Sequence, residues 1–428
     1  MSNTEDDTAL EGGPYVEGNP TAAARGLLVG IALLMAGNGL QGSLIGVRSE
    51  SEGFSLGAIG VVMAMYFAGF LVGSRSAELL LAKVGHIRVF SALASTASGA
   101  VLVHAVFISP VSWGLMRFAT GMCMAGLYVV AESWLNDIAT NANRGRLLSA
   151  YMMASMGGLT IGQLLLEVAD PDGFELFVLT SVLVSSSVLP VTLSASSAPP
   201  MGIPEPLSFR ELLRQVPTGV ISSFWVGTSA GVLLGLSAVY AAVADVPDSR
   251  ISLFLAAPLV GSLVFQFPIG WISDRISRRT VMWWVAASAS ALSAALALLP
   301  AGSWAAIVMM VMLGGVIFPL YSLTIAFTAD WLPQSQLTSA SAALVRVNGV
   351  GAVFGPLIAA PLMAAGSPRM FFWMMAVTHG VIVVYIAWRV LFRDALPVER
   401  QGPFIAYPAR ASAVAANLIG RRRPPGAD

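Results

Sequence analysis

PIGWISDRISRRTVM, residues 268–282, closes one apolar run with Gly270, Asp274 and Arg275 and opens the next through Arg278 and Arg279. Long apolar segments flank it on both sides. One carboxylate and three guanidiniums between two such segments read as a short cytoplasmic turn. Unpaired charge is costly in hydrocarbon, and Lys and Arg accumulate on the cytoplasmic side. The composition points the same way: 56% of the 428 residues are hydrophobic, only 11% are charged, and the mean hydropathy is +0.77. Soluble domains carry about a quarter charged residues, so this chain is read as a polytopic membrane protein. A formal net charge of zero supplies no basic field for nucleic acid. Cys123 is the single cysteine, which leaves neither an intrachain disulfide nor a paired-cysteine metal site. The first 25 residues are polar and acidic, with Glu5, Asp6, Asp7, Glu11 and Glu17, the opposite of a basic signal-peptide start. Insertion through the first apolar helix is expected.

A helix that crosses the hydrocarbon needs about 20 mostly apolar residues. Twelve candidate spans meet this, starting near Gly26, Ser55, Val89, Ser112, Leu147, Glu175, Thr218, Ile251, Val281, Ser303, Ser339 and Phe371. With a cytoplasmic N-terminus, 18 of the 23 Lys and Arg residues fall on inner loops and tails, while only Arg48, Arg250 and Arg369 fall on outer loops. That bias predicts both termini inside. Between the sixth and seventh spans lies a Pro-rich linker. Within it Ser208 followed by Glu211 forms a capping-box pattern, and Phe209, Leu212, Leu213 and Val216 share a helical face, predicting a short helix on the membrane surface. The expected layout is an acidic tail 1–25, a six-helix bundle 26–193, a linker 194–216, a second six-helix bundle 217–392 and a C-terminal tail 393–428. A short helical pattern in that tail ends in Arg421, Arg422 and Arg423.

The two halves echo one another. LAKVGHIRVF at 81–90 follows the second span as SDRISRRTVM at 273–282 follows the eighth, 192 residues later. AESWL at 131–135 and TADWL at 328–332 end the fourth and tenth spans. Gly158 and Gly162 correspond to Gly351 and Gly355. With Gly69 and Gly73, these four-residue glycine spacings suit close helix packing. Prolines favour the second half, where Pro258, Pro268, Pro319, Pro356 and Pro361 fall inside spans. Two homologous bundles around a central cavity follow from the repeat.

The spacing G-x-x-x-D-R-x-[GS]-R-R at 270–279, the fourth-span run RFATGMCMAG with Arg117 and Gly121, and the twelve-span layout resemble the major facilitator superfamily of secondary transporters. GLYVVAESWLND, followed by NRGRLLSAYMMASMGGLTIGQLLL, is similar to the YcaD-like bacterial branch. The resemblance covers about residues 26–392 and implies an all-α integral membrane fold with twelve transmembrane helices in two six-helix bundles. It implies alternating access, with protons as the default coupling ion and a bacterial inner membrane, or one derived from it, as the location. The first-half loop departs from the pattern, with Ala82 at the usual Asp and Lys83 at the usual Arg. Gly162-Gln163 stands where proton-coupled drug exporters carry Gly-Pro, which argues against drug export.

Charges at the inner helix ends are expected to form a latch between the bundles. Asp274 is expected to cap a helix, and Arg275, Arg278 or Arg279 to bind a carboxylate, with Asp330 the best partner. Glu132 is the corresponding partner for Lys83 and Arg88. Arg117 and Arg346 lie deep in spans, where a guanidinium fork suits an anionic group. Asn38, Gln41, Tyr128, Gln266, Tyr321 and Asn348 complete the candidate substrate-binding set. Isolated His104 and His379 and the absence of a ligand-spaced set give no support for a fixed metal site or cofactor. Glu132, Glu78 and Asp330 are the acids to test for proton coupling.

Three functions stay open at this level. The first is a secondary transporter of a small polar or anionic solute. The second is an iron or metal-chelate permease of the magnetosome type, and the third a non-transporting receptor or scaffold. No G-x-x-x-x-G-K-[ST] loop is present to use ATP, and no nucleophile, base and orienting group recur at spacings that suggest an enzyme.

Overall fold

The computed structural model describes residues 20–140, 143–193, 207–392 and 396–404. The acidic tail, most of the Pro-rich linker, the Arg421–Arg423 stretch and the Glu78 side chain lie outside the described residues. Helices α1 (Pro20–Ser51), α2 (Leu56–Val84), α3 (His86–Val106), α4 (Pro110–Ile138) and α5 (Arg144–Leu164) lead to α6 (Glu175–Ser186) and α7 (Val188–Leu193). After the linker come α8 (Phe209–Gln215), α9 (Pro217–Val243), α10 (Asp248–Ser273), α11 (Arg278–Leu296), α12 (Trp304–Asp330), α13 (Leu337–Ala365) and α14 (Met370–Phe392). There is no strand among the described residues. The end of the molecule where α1 begins is called proximal below, and the other end distal.

Ten helical segments are long and apolar enough to cross a membrane, with α6 and α7 counted as one segment across Ser187. Helices α5 and α11 fall short of that apolarity. Arg144, Arg146 and Gln163 dilute α5, while Arg278, Arg279 and three serines dilute α11. Both pack against other helices, α5 on α1 and α11 on α14 and α12. All twelve start positions read from the sequence have a helix, the largest offset being α1, which begins at Pro20 instead of Gly26. Serine caps set several of these starts. Ser55, Ser109 and Ser303 each accept a hydrogen bond from the backbone N–H three residues on. Gly85, at φ +89°, makes the turn between α2 and α3, a left-handed conformation that favours glycine.

Helices α1–α7 pack chiefly among themselves, as do α8–α14, and the two sets repeat one pairing scheme: α1 with α5 and α2 with α4, then α9 with α13 and α10 with α12. In each pair glycine lets backbone meet backbone. A Cβ on Gly121 of α4 would strike the Tyr66 carbonyl of α2, and one on Gly69 or Gly73 would strike Phe118 or Met122 of α4. Gly158 and Gly162 sit likewise on α1, Gly351 and Gly355 on α9, and Gly261 and Gly314 join α10 to α12. Lipid tails are as apolar as the side chains, so such close contact, not the hydrophobic effect, holds these pairs together.

The two sets meet where α2 packs on α13, α1 on α9 and α5 on α10. The closest contacts lie towards the distal end. A Cβ on Gly46 would meet Ala238, one on Gly60 would meet Ala360 and Pro356, and Gly235 faces Pro356, Phe67 and Met63. One large core runs through both sets. A second, around Leu212, Val281, Met282, Leu320, Leu323 and Ile386, fills the proximal part of α8–α14 alone. Ser208 caps α8 through the Glu211 N–H, as the sequence suggests. Only Leu212 and Val216 of its apolar stripe are buried, however, with Phe209 and Leu213 exposed, so α8 is moored to the second core by one side.

Candidate functional site

At mid-depth, between the two sets, lies a cavity of about 40 Å³ lined by Tyr66, Phe67 and Phe70 of α2, Ala230 and Leu234 of α9, Tyr321 of α12, and Val345, Asn348, Gly349 and Ala352 of α13. Its N-terminal wall is ordered by a chain of contacts. The Arg117 guanidinium lies 4.4 Å from the Tyr66 ring centre, and Tyr66 Oη donates to Asn38 Oδ1 at 3.1 Å. Phe70 stands between Tyr66 and Tyr128, with ring centres 6.4 and 5.9 Å away. On the opposite wall Asn348 Nδ2 donates to the Ser223 carbonyl at 3.2 Å. The lining is therefore mostly aromatic and apolar, with Tyr66, Tyr321 and Asn348 as the residues that carry polar groups.

Tyr321 and Asn348 line this cavity, whereas Arg117 and Asn38 stand behind Tyr66, both nearly fully buried. Gln41 is buried in α1. Tyr128 donates to Met35 Sδ, and Gln266 Nε2 donates to Ser322 Oγ at 2.7 Å, so Gln266 ties α10 to α12. Arg346 is exposed and outside the lining. Two corrections follow for the intramembrane arginines. Arg117 packs over the Tyr66 ring outside the lining, and Arg346 lies about 100° round α13 from the lining residue Val345. Tyr66, Phe67 and Phe70 are absent from the sequence candidates. The available signal was Tyr66, a hydroxyl-bearing aromatic in the apolar run VVMAMYFAGF of the second span. His104 and His379 are fully buried, each with Nδ1 2.8 Å from the carbonyl one turn back. Among the described residues no three His, Cys, Asp or Glu side chains converge as metal ligands.

Nearer the proximal end the sets part, leaving a cleft of about 760 Å³ lined by Gly145, Leu148, Ser149 and Met152 of α5, Phe267, Pro268, Gly270, Trp271 and Asp274 at the end of α10, and Phe404. The charged turn of 274–279 borders it. Arg278 is almost fully buried and pairs with the equally buried Asp330, with Asp274 Oδ1 at 3.2 Å. It also donates to the carbonyls of Ala326 and Gly402. Arg275 is exposed, its guanidinium 3.6 Å from the Trp271 ring centre, and Arg279 is half-buried. The pairing with Asp330 agrees with the sequence reading, but the bridge between bundles does not. Every partner of Asp274 and Arg278 belongs to α10–α12 or to residues 401–404. Asp274 caps no helix N-terminus and instead ends α10. In the first half Lys83 and Arg88 are exposed, and the fully buried Glu132 accepts from Tyr151 Oη at 2.6 Å. The expected pairing of Glu132 with Lys83 and Arg88 is absent, and the two loops are not copies in chemistry.

Two packed helix sets around a cavity, with ten membrane-length apolar segments among the described residues, make this a multi-pass helical membrane protein. The family model of the major facilitator superfamily matches residues 219–425. The chain's similarity extends over most of its length to proteins named uncharacterized MFS-type transporter YcaD. Those of Escherichia fergusonii and of Escherichia coli K12 / DH10B are each 28% identical over 375 residues, 86% of this chain and 95% of theirs. Among solved structures, a mutant of the nucleoside transporter NupG superposes with a TM-score of 0.72 at 14% identity, covering 87% of this chain and all of its own. A bacterial homologue of the human lysosomal transporter Spinster, in an inward-facing and unoccupied conformation, gives 0.66 at 15% identity over 94% of this chain and 99% of its own. At these identities the likeness is one of fold.

Proposed function

We propose that the protein moves a small polar solute with a planar or aromatic face across the membrane by alternating access, with helices 26–193 and 217–392 as the two moving bundles. The observation that carries this reading is the cavity walled by both helix sets, lined by Tyr66, Phe67, Phe70 and Tyr321 together with Asn348. The positive-inside bias makes the proximal end cytoplasmic, and the parted proximal ends of α5 and α10 then correspond to an inward-facing arrangement. An anionic cargo is less favoured than the sequence suggests, because neither intramembrane arginine lines the cavity. At about 40 Å³ the cavity matches the share of one or two waters, so binding separates its walls.

The test is a thermal-shift screen of the purified protein against ring-bearing polar solutes and against carboxylates, followed by counterflow with each hit. Asn348→Ala and Tyr66→Phe are each expected to weaken binding about fivefold, the worth of one hydrogen bond of about 1 kcal/mol. Arg346→Ala is expected to leave affinity within about twofold, as for a group off the site. Hits confined to carboxylates, with affinity lost in Arg346→Ala, would reverse the assignment.

Proton coupling is assigned to Glu132, a fully buried carboxyl that accepts from Tyr151 Oη, in preference to Asp330, which pairs with Arg278. Glu132→Gln is expected to abolish uptake driven by an imposed pH gradient in proteoliposomes while exchange of solute for solute persists. Gradient-driven uptake at the wild-type rate in this variant would remove Glu132 from the coupling step.

A further inference from the structure

The segment that follows α14 returns to the proximal turn between α10 and α11 and is woven into it. Arg278 N–H donates to Gln401 Oε1 at 3.2 Å, and the Arg278 guanidinium donates to the Gly402 carbonyl at 2.7 Å. The Gly402 N–H donates to Asp330 Oδ1 at 2.8 Å, and the Phe404 N–H to Asp274 Oδ1 at 2.7 Å. Each charge of the buried cluster thus spends part of its hydrogen-bonding capacity on this strap. Charge-assisted bonds of this kind are the stronger class, so the strap's position is well determined. Its far end places the Phe404 ring against the bare Cα of Gly270, where a Cβ would overlap the ring.

Phe404 also lines the proximal cleft, facing α5 across it. On that side stand Gly145 and Ser149, one helical turn apart, and a Cβ added to Gly145 meets nothing within 4 Å. At Gly69 and Gly73 of α2 against α4, and at Gly351 and Gly355 of α13 against α9, glycine faces are in direct contact with the neighbouring helix. Gly145 and Ser149 on α5 and Gly270 on α10 are the small members of a lining that also holds Leu148, Met152, Phe267 and Trp271, and the Phe404 ring occupies the space beside Gly270.

We propose that the C-terminal strap is a wedge: Phe404, held by Asp274, Asp330 and Arg278, keeps the proximal ends of α5 and α10 apart, and its withdrawal lets the two helix ends approach each other. This rests on the reading that the two helix sets rock against each other. The strap is then the element that sets the balance between the two conformations, and the charged turn anchors the strap instead of clasping the opposite bundle.

The experiment uses the full chain in lipid nanodiscs, with the buried Cys123 replaced by Ala and two spin-label pairs on exposed positions. Arg146→Cys with Ile276→Cys spans the proximal cleft, and Glu50→Cys with Asp248→Cys spans the distal side. Electron–electron double resonance then gives the distance distributions. In the Phe404→Ala variant the short proximal distance is expected to gain at least about threefold in population while the long distal distance rises with it. Deletion of residues 396–428 is expected to move both pairs the same way, whereas Phe404→Trp retains the long proximal distance. Wild-type distributions with two exchanging populations that Phe404→Ala leaves unchanged would overturn the wedge and leave rocking intact. A shift to longer proximal distances would overturn it too, making Phe404 an adhesive. One invariant distance per pair in every variant would overturn the wedge together with the rocking on which it rests.

Discussion

Arg278→Ala is expected to cost about 3–5 kcal/mol, because it strands the Asp330 carboxylate in a site with 2% side-chain exposure. The guanidinium satisfies four acceptors at once, namely Asp330, Asp274 and the carbonyls of Ala326 and Gly402. Truncation removes all of these donors and leaves Asp330 with the Gly402 N–H but without its guanidinium. Two further variants separate the pair from the charge left behind. Arg278→Lys keeps the charge but loses the planar fork, so it is expected to recover only part of the loss. The double variant Arg278→Leu with Asp330→Leu removes both charges and is expected to be closer to wild type than Arg278→Ala, since apolar replacement of a buried pair is often neutral or better. Equilibrium unfolding in mixed micelles, followed by tryptophan fluorescence, measures all three. A loss below about 1 kcal/mol in Arg278→Ala would show that the pair is solvated and equivalent to a surface bridge.

The second large effect is expected from Gly121→Val. Its added Cβ would meet the Tyr66 carbonyl and the Phe70 N–H side of α2 at distances no packed structure tolerates. Helices α2 and α4 must then separate, at a cost near the upper end of the 1–3 kcal/mol usual for overpacking, about 3 kcal/mol. The displacement is also felt at the cavity. Tyr66 bridges Arg117 on α4 and Asn38 on α1, and its ring forms one wall. Binding of any solute found in the screen should fall by at least about tenfold in this variant, a loss of about 1.4 kcal/mol. Gly99→Ala, at a position where a Cβ meets nothing within 4 Å, is the matched control and is expected to bind normally. Wild-type stability in Gly121→Val would mean that α2 and α4 pack more loosely than the geometry indicates.

The parts of this protein legible in its sequence are those set by local or one-dimensional physics. Hydrocarbon thickness and apolar run length place the spans, so their starts are recovered to within a few residues. Glycine spacing marks the close helix pairs, because only a residue without Cβ permits backbone contact at that distance. Asp330 is legible as a partner for Arg275, Arg278 or Arg279, since all occupy helix ends on the same side of the repeat, and the structure pairs it with Arg278. Less was legible wherever helix rotation decides the outcome. A deep arginine reads the same whether its side chain points into the cavity, as expected for Arg117 and Arg346, or behind Tyr66 and out to one side, as found. The first-half loop also looked like a weaker copy of the second. Only its packing reveals that Glu132 bonds to Tyr151, on the following helix, while Lys83 and Arg88 stay exposed.

The stretch 268–282 shows where the division falls. Sequence by itself determined that this is a charged turn between two apolar runs of a helical, internally repeated chain, because transfer cost and charge bias act on each residue according to its position along the chain. Tertiary structure alone decided what the charges hold. A segment more than 120 residues further on, Gln401 to Phe404, returns to share Asp274, Arg278 and Asp330. No pattern along the chain encodes that contact, since hydrogen bonds between distant segments depend on where folding brings their ends, not on periodicity or composition.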